Sequence, residues 1–148
     1  MTTKAAFTEQ EWDLVRGAPP TAGLLVITAS HGGMMRETFE MAKVYAEARQ
    51  VHGESEFLDE LVSSKPKAEK PSVHSADELK AHTVQLLGEA VAKVGEKATP
   101  AELEDYRAFI LTLTERVAKR HKEDGVDISE AEQAAIDDVR AAIGGAAA

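Results

Sequence analysis

Residues Gly23 to Ala29 carry no charge. A surface helix keeps a polar side, so a segment apolar all round is buried. Val26 and Ile27 would also suit a buried strand. No other stretch of the chain looks like a strand that could pair with it, so the reading is a buried helix. Pro20 suits a first helical turn, where its missing N–H is not needed. Gly32 and Gly33, after Ser30-His31, can take positive φ and end the helix. From Met34 to about Val51 a polar stripe recurs at spacings of three and four: Arg36, Glu40, Lys43, Glu47, Gln50. Met35, Phe39, Ala42 and Ala46 make one apolar row, and Met41, Val44, Tyr45 and Ala48 another. So wide a face predicts contact with two neighbours. Arg36–Glu40 and Lys43–Glu47 are opposite charges at i,i+4, each worth about 0.2–0.5 kcal/mol. Pro19 to Val51 is therefore expected to form a central hairpin that turns at His31-Gly32-Gly33.

The flanking pattern predicts further helices. Thr8 and Glu11 form a capping box at the first helix start. Phe7 and Trp12 flank it near hydrophobic-staple positions, one residue out of register. That helix is expected to end near Gly17, before Pro19-Pro20. Phe57, Leu58, Leu61 and Val62 suggest a short helix. Residues 64–74, with Pro66, Pro71 and several lysines, read as an exposed linker. Ser75 and Glu78 open a helix to about Lys97, with Leu79, Leu86, Leu87, Ala90, Val91 and Val94 inward. Thr99 and Glu102, with Pro100 at the first position, open another. Its Leu103, Tyr106, Ile110, Leu113 and Val117 follow a bundle seam. Ser129 and Glu132 open the last helix, through Ile136, Val139 and Ile143. Residues 144–148 are expected to fray. The sum is an all-α, single-domain bundle over residues 1–148, with about six helices around a buried central one.

Composition narrows the function classes. The chain has 148 residues, no cysteine and a formal charge of −9. Thiolate metal sites, disulfides and cysteine catalysis are excluded. An acidic balance disfavours nucleic acid, whose phosphates need clustered Lys and Arg. With no cysteine, a reducing cytoplasm is the expected location; the start of the chain has no apolar signal region, and no stretch spans a membrane.

Candidate chemistry gathers at two corners. The first is His31-Gly32-Gly33 followed by Arg36 and Glu37, where free amides at a helix start can hold an anion. The second is Asp124-Gly125, then Ile128-Ser129 and Glu132. Read as a calcium loop with Glu132 at position twelve, it puts His121 at position one and Val126 at position six, where Asp and Gly are required. A capped helix turn fits these residues better. No Glu-x-x-His, His-Glu-x-x-His, P-loop, dinucleotide fingerprint or Gly-x-Ser-x-Gly occurs.

Asp-Gly, a β-branched residue, Ser and then Glu at a helix–helix corner resembles the signature of TerB-like domains, helical modules of tellurite-resistance and stress proteins. Leu24 to Phe39 resembles that family's first such corner, with His31 where the family pattern has Asp. The resemblance covers the two helical hairpins. It implies an all-helical fold, a stress-associated role, and metal binding at the acidic corner through Asp124 and Glu132. From the bundle seams, the acidic surface and the lack of convergent catalytic groups, the chain is expected to be a non-enzymatic interaction module with no cofactor, binding a protein partner or itself as a homodimer. The alternative is a binder of a small ligand, anion or metal using His31, Gly32, Gly33, Arg36 and Glu37.

Overall fold

The computed structural model describes residues 4–29, 42–47, 61, 76–123 and 130–144. Among these residues the protein is all-α, with no strand. A 3-10 turn, Lys4–Ala6, precedes α1 (Glu9–Ala29), α2 (Ala76–Lys97), α3 (Pro100–Glu123) and α4 (Glu130–Ala142). These five elements, with a helical stretch at 42–47, stand where about six helices were expected.

The first helix departs from expectation. It neither stops near Gly17 nor restarts at Pro20; α1 runs unbroken through Pro19 and Pro20. Proline inside a helix removes the bond to the carbonyl four residues back and crowds that carbonyl. Tertiary contacts offset the loss here. The Val15 carbonyl, which Pro19 cannot reach, accepts the Tyr106 hydroxyl at 2.7 Å. One buried stripe also crosses the prolines: Trp12, Val15, Ala18, Ala22, Leu25 and Val26. Each fully buried Val or Leu contributes about 1.5–3 kcal/mol. Summed along the stripe, that is of the same order as the cost of about 3 kcal/mol or more for each of the two prolines.

The start of α1 is fixed locally. The Thr8 amide donates to Glu11 Oε1 at 2.8 Å, and the Glu11 amide donates to Thr8 Oγ1 at 3.1 Å. With Thr8 as the cap, Phe7 and Trp12 occupy the staple positions in register rather than one residue out. Their rings lie 5.7 Å apart, both buried. The same reciprocal box opens α3: the Thr99 amide donates to Glu102 at 2.9 Å, and the Glu102 amide to Thr99 Oγ1 at 3.2 Å.

Helix α1 packs on α2, α3 and α4, and most extensively on α2. It is the central pillar, although Leu24 is only half-buried while Leu25 and Val26 are buried. The predicted inward rows largely hold. Leu79, Leu87, Ala90 and Val94 of α2 are buried, as are Tyr106, Ile110, Leu113 and Val117 of α3 and Ile136 and Val139 of α4, with Ile143 just beyond it. Leu86, Val91 and Leu103 are partly buried against them.

Side-chain ties set the helix directions. Glu11, early in α1, meets Lys93 and Lys97 at the end of α2. The two helices therefore run in opposite directions. Only Ala98 and Thr99 separate α2 from α3, a link short enough to reverse the chain. Arg107, early in α3, donates to the Ile143 carbonyl just beyond α4 at 2.8 Å, so α3 and α4 are also opposed. The ends of α1 and α3 and the starts of α2 and α4 thus gather at one pole.

The stretch 42–47 corrects a second expectation. Val44 and Tyr45 are buried, but Ala42 and Ala46 are exposed. One face is covered, not two, because this stretch leans its Tyr45 ring edge-on against Phe109 of α3 at 5.1 Å. Glu47 reaches across to Arg116 at 2.7 and 3.4 Å, an interhelix pair that sequence spacing alone would assign to Lys43. At the chain's last described turn, Gly144 adopts φ +75°, and its amide donates to the Ala141 carbonyl at 3.2 Å. This is the left-handed geometry that ends many helices.

Gly88 lies inside α2, and a Cβ added there would meet nothing within 4 Å. Gly88→Ala is expected to stabilise the protein by about 0.5–1 kcal/mol, by lowering unfolded-chain entropy. Urea titration would check this as a raised midpoint with unchanged slope.

Candidate functional site

Buried or paired polar side chains lie at three levels along the described bundle. The first is the pole where α1 starts. Lys97 Nζ lies 2.7 Å from Glu11 Oε1 and 3.3 Å from the Ala6 carbonyl. Lys93 Nζ lies 3.3 Å from Glu11 Oε2 and 3.0 Å from Glu96. Two lysines near the carbonyl end of α2 suit its dipole, and the carboxylate near the amide end of α1 suits that one. Hydrogen bonding to Lys97, then to the Thr8 amide, lowers the Glu11 carboxyl from 4.5 to about 2, against a smaller desolvation effect. Hydrogen bonds to Glu96 and Glu11 raise the Lys93 ammonium. Because the folded value for Glu11 lies below the unfolded one, its contribution is complete above about pH 4.5 and is lost as pH falls toward 2. The expected result is a Tm that falls across that interval more steeply in the native chain than in Glu11→Gln. Subtracting the two curves removes the effect of other carboxylates, Glu47 beside Arg116 among them.

The second place is the middle of the bundle. Tyr106, fully buried on α3, donates to the Val15 carbonyl, and Tyr45 meets Phe109 edge-on. Burial, then the nearness of Tyr45, pushes the Tyr106 phenol well above its ordinary value. It is therefore a neutral donor at any physiological pH. Thr114 turns its hydroxyl back onto the Ile110 and Leu111 carbonyls. Thr83 Oγ1 is buried in α2 with no hydrogen-bond partner.

The third place is the opposite pole. Glu132, in the first turn of α4, is fully buried. Asp124, its expected companion, lies outside the described residues, as do His31, Gly32, Gly33, Arg36 and Glu37. The described ends that flank both corners, Ala29 of α1 and Glu123 of α3, share this pole with Glu132. His82 and Glu78 are exposed on α2, as their surface spacing suggested. Among the described residues, no three His, Cys, Asp or Glu side chains are grouped to hold a metal, and no helix is long and apolar enough to cross a membrane.

Sequence reading missed the Tyr106–Val15 bond and the second role of Glu11. The first was signalled by the prolines, each of which leaves unclaimed the carbonyl four residues back. The second has no local signal, because Lys93 and Lys97 lie more than eighty positions away. Comparison with protein-family models, curated proteins and solved structures finds no match to this chain.

Proposed function

We propose that this chain is a non-enzymatic helical interaction module that binds a protein partner or a second copy of itself. The observation that carries the reading is how its polar side chains are used. Glu11 with Lys93 and Lys97, Arg116 with Glu47, Arg140 with Glu115, Lys80 with Asp138, and Arg107 with the Ile143 carbonyl all tie one helix or turn to another. These groups hold a scaffold together. Recognition then falls to the outer surface, whose acidic balance suits a partner with basic groups. The TerB-like resemblance adds a stress-associated setting.

The test is affinity capture of the tagged full chain from native lysate, with the mass of the purified protein measured in parallel. A stoichiometric protein partner or a multimeric mass is expected. A strictly monomeric mass together with no stoichiometric partner would overturn the proposal.

The alternative is a small ligand, anion or metal held by His31, Gly32, Gly33, Arg36 and Glu37. It is favoured by one observation, the shared pole of the helix ends that flank both corners. Elemental analysis of protein purified without chelator separates the two readings. A stoichiometric metal, or ligand-induced thermal shifts abolished by His31→Ala, would favour the corner.

A further inference from the structure

We infer that residues 4–16 form an arm that opens from the bundle as one unit, hinged at Gly17–Thr21, while the rest of α1 stays in place. Any cut across an α-helix is bridged by four i→i−4 hydrogen bonds. At the cut between Ala18 and Pro19 their donors would be residues 19 to 22. Pro19 and Pro20 have no N–H, so half of those bonds cannot form. The Thr21 hydroxyl donates to the Gly17 carbonyl at 2.7 Å, competing with the Thr21 amide for that acceptor. Gly17 itself lacks a side chain, and a Cβ there would meet nothing within 4 Å, so this position adds helix-weakening freedom without packing of its own. Four features that weaken the helix therefore fall within five residues.

The buried stripe runs across this hinge, from Trp12, Val15 and Ala18 to Ala22, Leu25 and Val26, and polar ties to other helices fall on the arm. Beyond the hinge, Ala22, Leu25 and Val26 are buried in the centre of the bundle. Before it, polar latches link the arm to α2 and α3: Glu11 to Lys93 and Lys97, Lys97 to the Ala6 carbonyl, and Tyr106 to the Val15 carbonyl. Each latch is a side chain reaching in from another helix, so the arm can release without unwinding that helix. Opening withdraws Phe7, Trp12 and Val15 from the core, which keeps the open form a minor state. It also uncovers the apolar surface of α2 and α3 near Val94 and Tyr106.

Hydrogen exchange on the full chain tests this. Detached from the bundle, so short a helix does not persist in water, so the amides of residues 12–16 are expected to share one rate, about tenfold or more faster than Val26 and the buried turns of α3, with a step near Thr21. Trp12, the one tryptophan, should be quenched by acrylamide in the same regime. Pro19→Ala with Pro20→Ala restores both donors and should bring the arm to the rate of Val26. Gly17→Ala serves the same comparison if that pair fails to fold. One common rate along the whole of α1 would overturn the inference. So would a smooth gradient from Glu9, or fast arm exchange that both variants leave unchanged, because each describes simple fraying from the end.

Discussion

Replacing Tyr106 by phenylalanine is expected to destabilise the protein by about 1–3 kcal/mol, the cost of leaving a buried acceptor unsatisfied. The ring would still fill its buried place, so packing changes little. The loss falls on the Val15 carbonyl. In an ordinary helix that carbonyl would bind the amide of residue 19, but residue 19 is proline. The hydroxyl, at 2.7 Å, is its substitute. The proline itself provides the control. Pro19→Ala supplies an amide to the same carbonyl, so Tyr106→Phe should cost far less in the Pro19→Ala background. The double-mutant cycle should therefore give a coupling of about 0.5–3 kcal/mol. Thermal unfolding would register the single variant as a Tm lower by roughly 2–4 °C per kcal/mol. Additive losses would mean that the bond to Val15 contributes nothing and that the prolines are tolerated for another reason.

The same bond explains what could be read from the sequence and what could not. Caps were legible because both partners sit within four residues: Thr8 with Glu11 and Thr99 with Glu102 form the boxes their spacing predicts. The seam of α3 was legible because burial follows helical periodicity. The stop at Gly17 was not a feature of the fold, because the rule against proline in a helix counts only local bonds. A tyrosine ninety-one positions away supplied the missing donor. The apolar stripe from Trp12 to Val26 already crossed the prolines at helical spacing, and that periodicity was the better guide. Ala42 and Ala46 failed for the opposite reason. Alanine is neutral between core and surface, so a row of alanines cannot say how wide a covered face is. At the candidate corners only Glu132 is described, and its complete burial was not foreseeable from a first-turn glutamate, which usually faces water.

Val26→Asp is expected to be the most damaging single change to the central helix, costing about 3–5 kcal/mol or more. Val26 is fully buried on α1, the helix that touches every other α-helix described. Aspartate there would be an uncompensated charge, or would take up a proton and remain a buried polar group. Against a total stability of about 5–15 kcal/mol, that loss brings the protein near unfolding. Leu24→Asp provides the contrast. Leu24 is half-buried, so its carboxylate can turn toward water, and the cost should be a small fraction of that at Val26. Circular dichroism melts would separate the two, with Val26→Asp losing helical signal at temperatures where Leu24→Asp stays folded. Lowering the pH should partly restore Val26→Asp: burial raises the folded carboxyl above its unfolded value, so stability returns as protonation removes the charge. Equal tolerance at both positions would mean that α1 is covered on neither side, and the four-helix packing around it would have to be redrawn.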